Sequence, residues 1–123
     1  IEASVYVLDC LPNMVAEQVR ERAGLFLRRL RAARPSTPIV VVESIIYQHT
    51  LPATPSPRHA GSNAALRAVV DGEVAAGMTG ITYLPGDDLL GHDWDGTVDG
   101  THCTDLGFFR MAAVLAPVLK SVL

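Results

Sequence analysis

The sequence predicts an α/β fold: a parallel sheet with helices on both faces. Two observations carry that expectation. Three short apolar runs, rich in β-branched and aromatic residues and bounded by Pro, Gly or polar residues, recur along the 123 residues and read as buried strands. Stretches of helical periodicity alternate with them, and strands alternating with helices of this length build βαβ units.

The first strand is expected in residues 3–10, ASVYVLDC. Residues 14–34, MVAEQVRERAGLFLRRLRAAR, follow as an amphipathic helix ended by Pro35. Val15, Val19, Leu25, Leu27 and Leu30 form its apolar stripe, with the arginines largely around it. Arg28, Arg29, Arg31 and Arg34 read as a solvated face whose charge is favourable at a helix C-terminus, and no partner is assigned to them. Residues 37–43, TPIVVVE, supply the second strand. A second helix is expected over residues 61–77, GSNAALRAVVDGEVAAG, with Ser62 or Asn63 as N-cap and Gly72 inside it. Residues 80–86, GITYLPG, are the third strand. The last helix lies in residues 103–123, where Thr104 or Asp105 can cap, Phe108, Met111, Leu115 and Leu119 face inward, and Pro117 falls near the end.

This length supports one domain over residues 1–123, and 49% hydrophobic with 19% charged residues suits a packed core. A net charge of −3 gives no electrostatic reason to bind nucleic acid or an anionic membrane, so neither is expected as a partner. No apolar run reaches the roughly 18 to 20 residues of a membrane span. Cys10 and Cys103 are too few for a disulfide framework or a thiolate metal cluster; free thiols are expected, with a bond between them as the alternative. His49, His59, His92, Asp87 and Asp88 match no ligand spacing, so no metal and no organic cofactor is expected. Nothing in the sequence assigns a compartment.

In a parallel sheet, ligands bind at the carboxyl ends of the strands. Two loops meet that edge: LDCLPNM after the first strand and PGDDLLGHDWDGTVDGTHC after the third. The second holds Asp99 and His102 three residues apart. A carboxylate accepting from one imidazole nitrogen fixes the tautomer and stabilises the imidazolium, leaving the other nitrogen as a base. Gly100 lets the backbone turn tightly enough for both side chains to reach one point. An ordinary polar loop before a helix cap is the plainer alternative. In the first loop Asn13 follows Pro12, and its amide can donate to a developing oxyanion; as a turn residue it would need no such role.

Together, strand, loop and Asn early, a βαβ body, and Asp-x-x-His before the last helix resemble the SGNH hydrolases, the GDSL-like lipases and acylhydrolases. The runs YVLDCLPNM, TPIVVVE and VDGTHCTDLGFFRMA carry the resemblance across nearly the whole chain. It implies a flavodoxin-like three-layer fold and ester hydrolysis by a serine nucleophile without a cofactor. Asn13 matches the oxyanion asparagine, and Asp99 and His102 match the two triad partners. Cys103 departs from the family, where proline is common.

The larger departure is an absence: the family's Gly-Asp-Ser-like nucleophile block and its oxyanion-glycine block have no counterpart here. Ser44, ending the second strand, is the best internal candidate, and a satisfied loop or cap hydroxyl is its plainer reading. The expectation is therefore a C-terminal portion of such a hydrolase, with the nucleophilic serine outside this chain. Residues 4–9 would then present an open strand edge, to be covered by a complementary N-terminal piece or a second copy. Residues 47–63, YQHTLPATPSPRHAGSN, are expected to wall the site. Glu43 and His59 are candidate pocket residues, Glu43 orienting a substrate hydroxyl or pairing with Arg58. With His59 and Arg58 the wall leans toward a small acyl group on a carbohydrate. The alternative function is a non-catalytic flavodoxin-like module that associates through its open strand edge.

Overall fold

Strand β2, Ile39–Val42, is buried at all four residues, because it lies between two parallel neighbours and both of its faces are covered. The neighbours are β1, Tyr6–Leu8, and β3, Ile81–Leu84, in the order β1-β2-β3, with Val40 in register with Val7 and Thr82. The structure, a computed structural model, describes residues 1–48 and 57–123. The sheet is sandwiched between helices, as the sequence predicts. Side chains alternate across β2, so Ile39 and Val41 meet helices α1, Ala16–Ala33, and α2, Pro57–Ala75, while Val40 and Val42 meet α3, Asp105–Val122. Burying each such side chain contributes roughly 1.5 to 3 kcal/mol, so this four-residue strand is the densest source of stability in the fold.

The α1 stripe is narrower than its periodicity suggests. Val19 and Leu27 are fully buried and Leu30 packs beside them, but Leu25 is 45% exposed and Val15 is also exposed. Nor are the arginines merely a solvated face. Arg28 pairs with Glu73 of α2, and the Arg31 guanidinium donates to the carbonyls of Arg34, Pro35, Thr37 and Gly80.

Helix α2 starts earlier than Ser62 or Asn63, at Pro57, a residue that tolerates the first turn because its missing N–H would be unpaired there anyway. Ser62 is buried inside it, its hydroxyl shared between the Arg58 and Met14 carbonyls at 3.0 and 2.9 Å. Helix α3 begins as expected, Thr104 Oγ1 accepting from the Gly107 N–H at 3.1 Å. Met111, Leu115 and Leu119 pack on the sheet, but Phe108 is 62% exposed and so does not face inward.

Strand β1 is an edge strand: among the described residues no strand pairs with its outer side. Val7, on the α3 face, is exposed, and a cavity of about 520 Å³ lies alongside, lined by Val7, Leu8, Cys10, Met14 and Phe26. Among the described residues no helix is long and apolar enough to cross a membrane.

Candidate active site

The loop from β3 to α3 builds the site. Thr97 and Cys103 form an antiparallel bridge, and the Val98 N–H donates to the His102 carbonyl at 2.8 Å, closing a tight hairpin whose tip is residues 99–101. Gly100 turns that tip with a φ of 87°, a conformation that L side chains avoid. Asp99 is thereby brought back onto His102. Its Oδ1 accepts the N–H groups of His102 and Thr101 at 2.8 and 2.9 Å, and its Oδ2 lies 2.7 Å from His102 Nδ1. The His102 N–H first, then the imidazole and the Thr101 N–H, hold the Asp99 carboxyl well below the usual carboxylate range. The imidazole is exposed, so its Nε2 edge is open to solvent.

A second tie fixes the loop to α3. Arg110 donates to both Asp93 oxygens, at 2.6 and 2.5 Å, and to the Leu90 carbonyl at 2.9 Å, and this guanidinium pulls the Asp93 carboxyl down. Trp94, between these ties, has a positive φ of 68°. Asp88 and His92 form another exposed pair at 3.0 Å. Among the described residues no cluster of three or more His, Cys, Asp or Glu could hold a metal ion.

Across the carboxyl edge, β1 runs into a 3-10 turn, Leu11–Asn13. Leu11 is buried beneath it, and Asn13 is exposed, its N–H held by the Cys10 carbonyl at 3.1 Å. The two loops are neighbours: burial, and after it the Asp9 charge, push the half-buried Cys103 thiol up. Both cysteines are free.

Glu43 is turned inward rather than toward a substrate or Arg58. Its carboxylate accepts from Tyr83 Oη at 2.5 Å, the Gly86 N–H at 3.0 Å and Asn63 Nδ2 at 3.5 Å, with Arg67 at 3.9 Å. These donors occupy its acceptor capacity, so it ties β2, α2 and β3 together. Burial and the Glu43 bond push the Tyr83 hydroxyl upward, and the Arg67 guanidinium lies over the Tyr83 ring at 3.6 Å. His59 stacks on Tyr47, ring centroids 4.0 Å apart, beside Gln48, whose N–H donates to the Gly100 carbonyl at 2.8 Å. Residues 49–56 of the expected wall, His49 among them, lie outside the described residues. Ser44 is fully buried, its hydroxyl without a partner among the described residues and its backbone N–H taken by Asn63 Oδ1 at 3.0 Å, so it presents no nucleophile at the surface. Sequence reasoning missed Gln48, Asn63 and Arg110. Their partners are 17 to 52 residues away, and no local pattern signals them.

A family model, the GDSL-like lipase/acylhydrolase family, matches residues 1–120. Among solved structures, the crystal structure of a Bacteroides ovatus protein named as a GDSL-like lipase superposes with a TM-score of 0.90 at 30% sequence identity. The match covers 99% of this chain and 36% of that one, so the chain spans little more than a third of the length of that relative. No curated protein matches. With its parallel sheet flanked by helices, and the family model running over all but its last three residues, the chain belongs to the GDSL-like lipase/acylhydrolase family.

Proposed function

We propose that these residues form the acid–base side of a serine ester hydrolase. The observation that carries the reading is the 2.7 Å contact between Asp99 Oδ2 and His102 Nδ1, with the far edge of the imidazole open. A serine attacks the ester carbonyl; His102 Nε2 takes its proton and returns it to the leaving alcohol; Asp99 holds the tautomer and stabilises the imidazolium. Asn13 donates to the tetrahedral oxyanion. The serine comes from outside these 123 residues: Ser44 and Ser62 are buried, Ser4 and Ser36 precede β1 and β2 at the amino edge of the sheet, Ser121 ends α3, and Ser56 lies outside the described residues. The substrate is a small acyl ester, with His59 and Arg58 on a polar wall that favours a carbohydrate alcohol. Glu43 steadies that wall from behind through Asn63.

The outer edge of β1 is covered in the working protein by an added strand, from a complementary segment or from a second copy. What supports this is the unpaired edge beside exposed Val7 and an apolar cavity, since an open edge strand is a template for pairing.

Aryl acetate hydrolysis tests the reading, measured on the 123-residue chain and on the same chain joined to the preceding sequence of its gene. Alone it should be no faster than its His102→Ala variant; joined, it should turn over and lose that turnover on His102→Ala. Turnover by the joined chain that survives His102→Ala would overturn the assignment.

A further inference from the structure

The Asp99 and His102 side chains are 54% and 77% exposed, so packing does little to hold either in place. Their mutual orientation has to come from the backbone of the hairpin, and the backbone in turn from whatever grips it. From another segment, Gln48 meets this turn at two points. Gln48 is 8% exposed and follows β2. Its N–H donates to the Gly100 carbonyl at 2.8 Å, immediately after Asp99. Its side-chain Oε1 accepts the Thr97 hydroxyl at 3.2 Å, and Thr97 Oγ1 accepts the Gly100 N–H at 3.1 Å, so Gln48 meets the turn at both ends, with its backbone at Gly100 and its side chain at Thr97. Its Nε2 reaches the Gly91 carbonyl at 3.5 Å, farther back in the same loop. Gly96 fits under this arrangement because a Cβ there would meet the Leu90 carbonyl at 2.8 Å and Gln48 Oε1 at 3.4 Å.

We propose that Gln48 is a positioning residue for the Asp99–His102 pair, acting through Thr97 and Gly100 to keep the carboxylate against the ring. This rests on the reading of that pair as base and orienter. Only two residues, Val98 and Asp99, lie between the two points at which Gln48 grips the turn, so the carboxylate has little freedom to swing away while both grips hold. Without Gln48 Oε1 the Thr97 hydroxyl loses that acceptor, and Oγ1, which accepts the Gly100 N–H, is no longer held in its orientation. The segment after β2 thereby reports directly on the geometry of the pair, although it contributes no atom to it.

The test is NMR on the 123-residue chain, following the Asp99 carboxyl titration and hydrogen exchange of the Thr101 and His102 amides, which Asp99 Oδ1 accepts. In the unmodified chain the carboxyl stays ionised below its ordinary value of 3.8. Gln48→Met and Thr97→Val should each raise that titration toward 3.8 and speed exchange of the two amides by about tenfold, while the β2 amides keep their protection. Thr97→Ser, which keeps the hydroxyl, should restore both. Should Gln48→Met lose protection in β2 as well, Thr97→Val decides alone. An unchanged titration and exchange in folded variants would overturn the positioning role and leave the pair standing. Ordinary Asp99 titration in the unmodified chain would instead overturn the pair itself, and the positioning role with it.

Discussion

Asp99 divides its two carboxylate oxygens between different tasks with respect to His102: Oδ1 takes the backbone N–H at 2.8 Å and Oδ2 the ring nitrogen at 2.7 Å. The first contact fixes where the ring begins and the second fixes which way it points. In any form of the protein that turns over an aryl acetate, Asp99→Asn should lower kcat about 10³- to 10⁴-fold, because an amide presents a donor or a weaker acceptor to the ring and favours the wrong tautomer. KM should change little. Steady-state kinetics of the two forms check this, and equal kcat values would remove Asp99 from the mechanism.

Acid should loosen this loop first. The carboxyls of Asp93 and Asp99 are both held below their ordinary value of 3.8 in the folded chain, Asp93 by Arg110 and Asp99 by the His102 N–H. The stability they contribute is present above that value and is lost as the pH falls through the folded titrations. Urea unfolding between roughly pH 5 and pH 2 should therefore show a falling midpoint, and an Asp93→Asn, Asp99→Asn double variant should show a shallower fall.

Ser44→Ala separates a nucleophile from a core residue. The hydroxyl is fully buried with no hydrogen-bond partner among the described residues, so removing it takes away a desolvated polar group and leaves a gap of a single atom. Stability should be unchanged or rise by up to about 1 kcal/mol. Loss of ester hydrolysis with the fold intact would show that Ser44 is reached by substrate after all.

Gly107→Ala sets helix propensity against packing. Alanine gains about 1 kcal/mol over glycine inside a helix. At Gly107 the new Cβ would stand 2.1 Å from the Gly96 carbonyl oxygen, and backbone has to move to admit it. Overpacking of this kind costs about 1 to 3 kcal/mol, so the variant should be net destabilised, as read from its urea midpoint. Since Thr104 donates its N–H to the same Gly96 carbonyl, the movement should also reach the hairpin beneath His102.

The three strands were legible because β-branched residues in short runs are a local signal, and β2 showed it most clearly with Ile39 and three valines. The Asp99–His102 contact was legible too, since three residues and a glycine turn decide it. Periodicity failed at Leu25 and Phe108, which fit an apolar stripe but are exposed: a helical period reports which side chains share a face, and whether anything covers that face is decided elsewhere. Helix α2 begins ahead of Ser62 and Asn63 because these residues, which have the chemistry of caps, turn their oxygens to Met14, Arg58 and Ser44. Glu43 and Gln48 could not be read in advance, because their partners come from segments the chain reaches only after folding.

Arg31 sits at the opposite end of the sheet from His102 and joins the exit of α1 to Gly80, just ahead of β3. It does so through carbonyl oxygens, which neither gain nor lose protons, whereas the loop that carries His102 also depends on two carboxylates, Asp93 on Arg110 and Asp99 on His102. The two rims of this sheet therefore answer to different solvents. Strong acid would fray the molecule from the reactive rim while the Arg31 rim stays fastened, so the first form to appear on acidification would still have its three strands aligned and would lack only its chemistry.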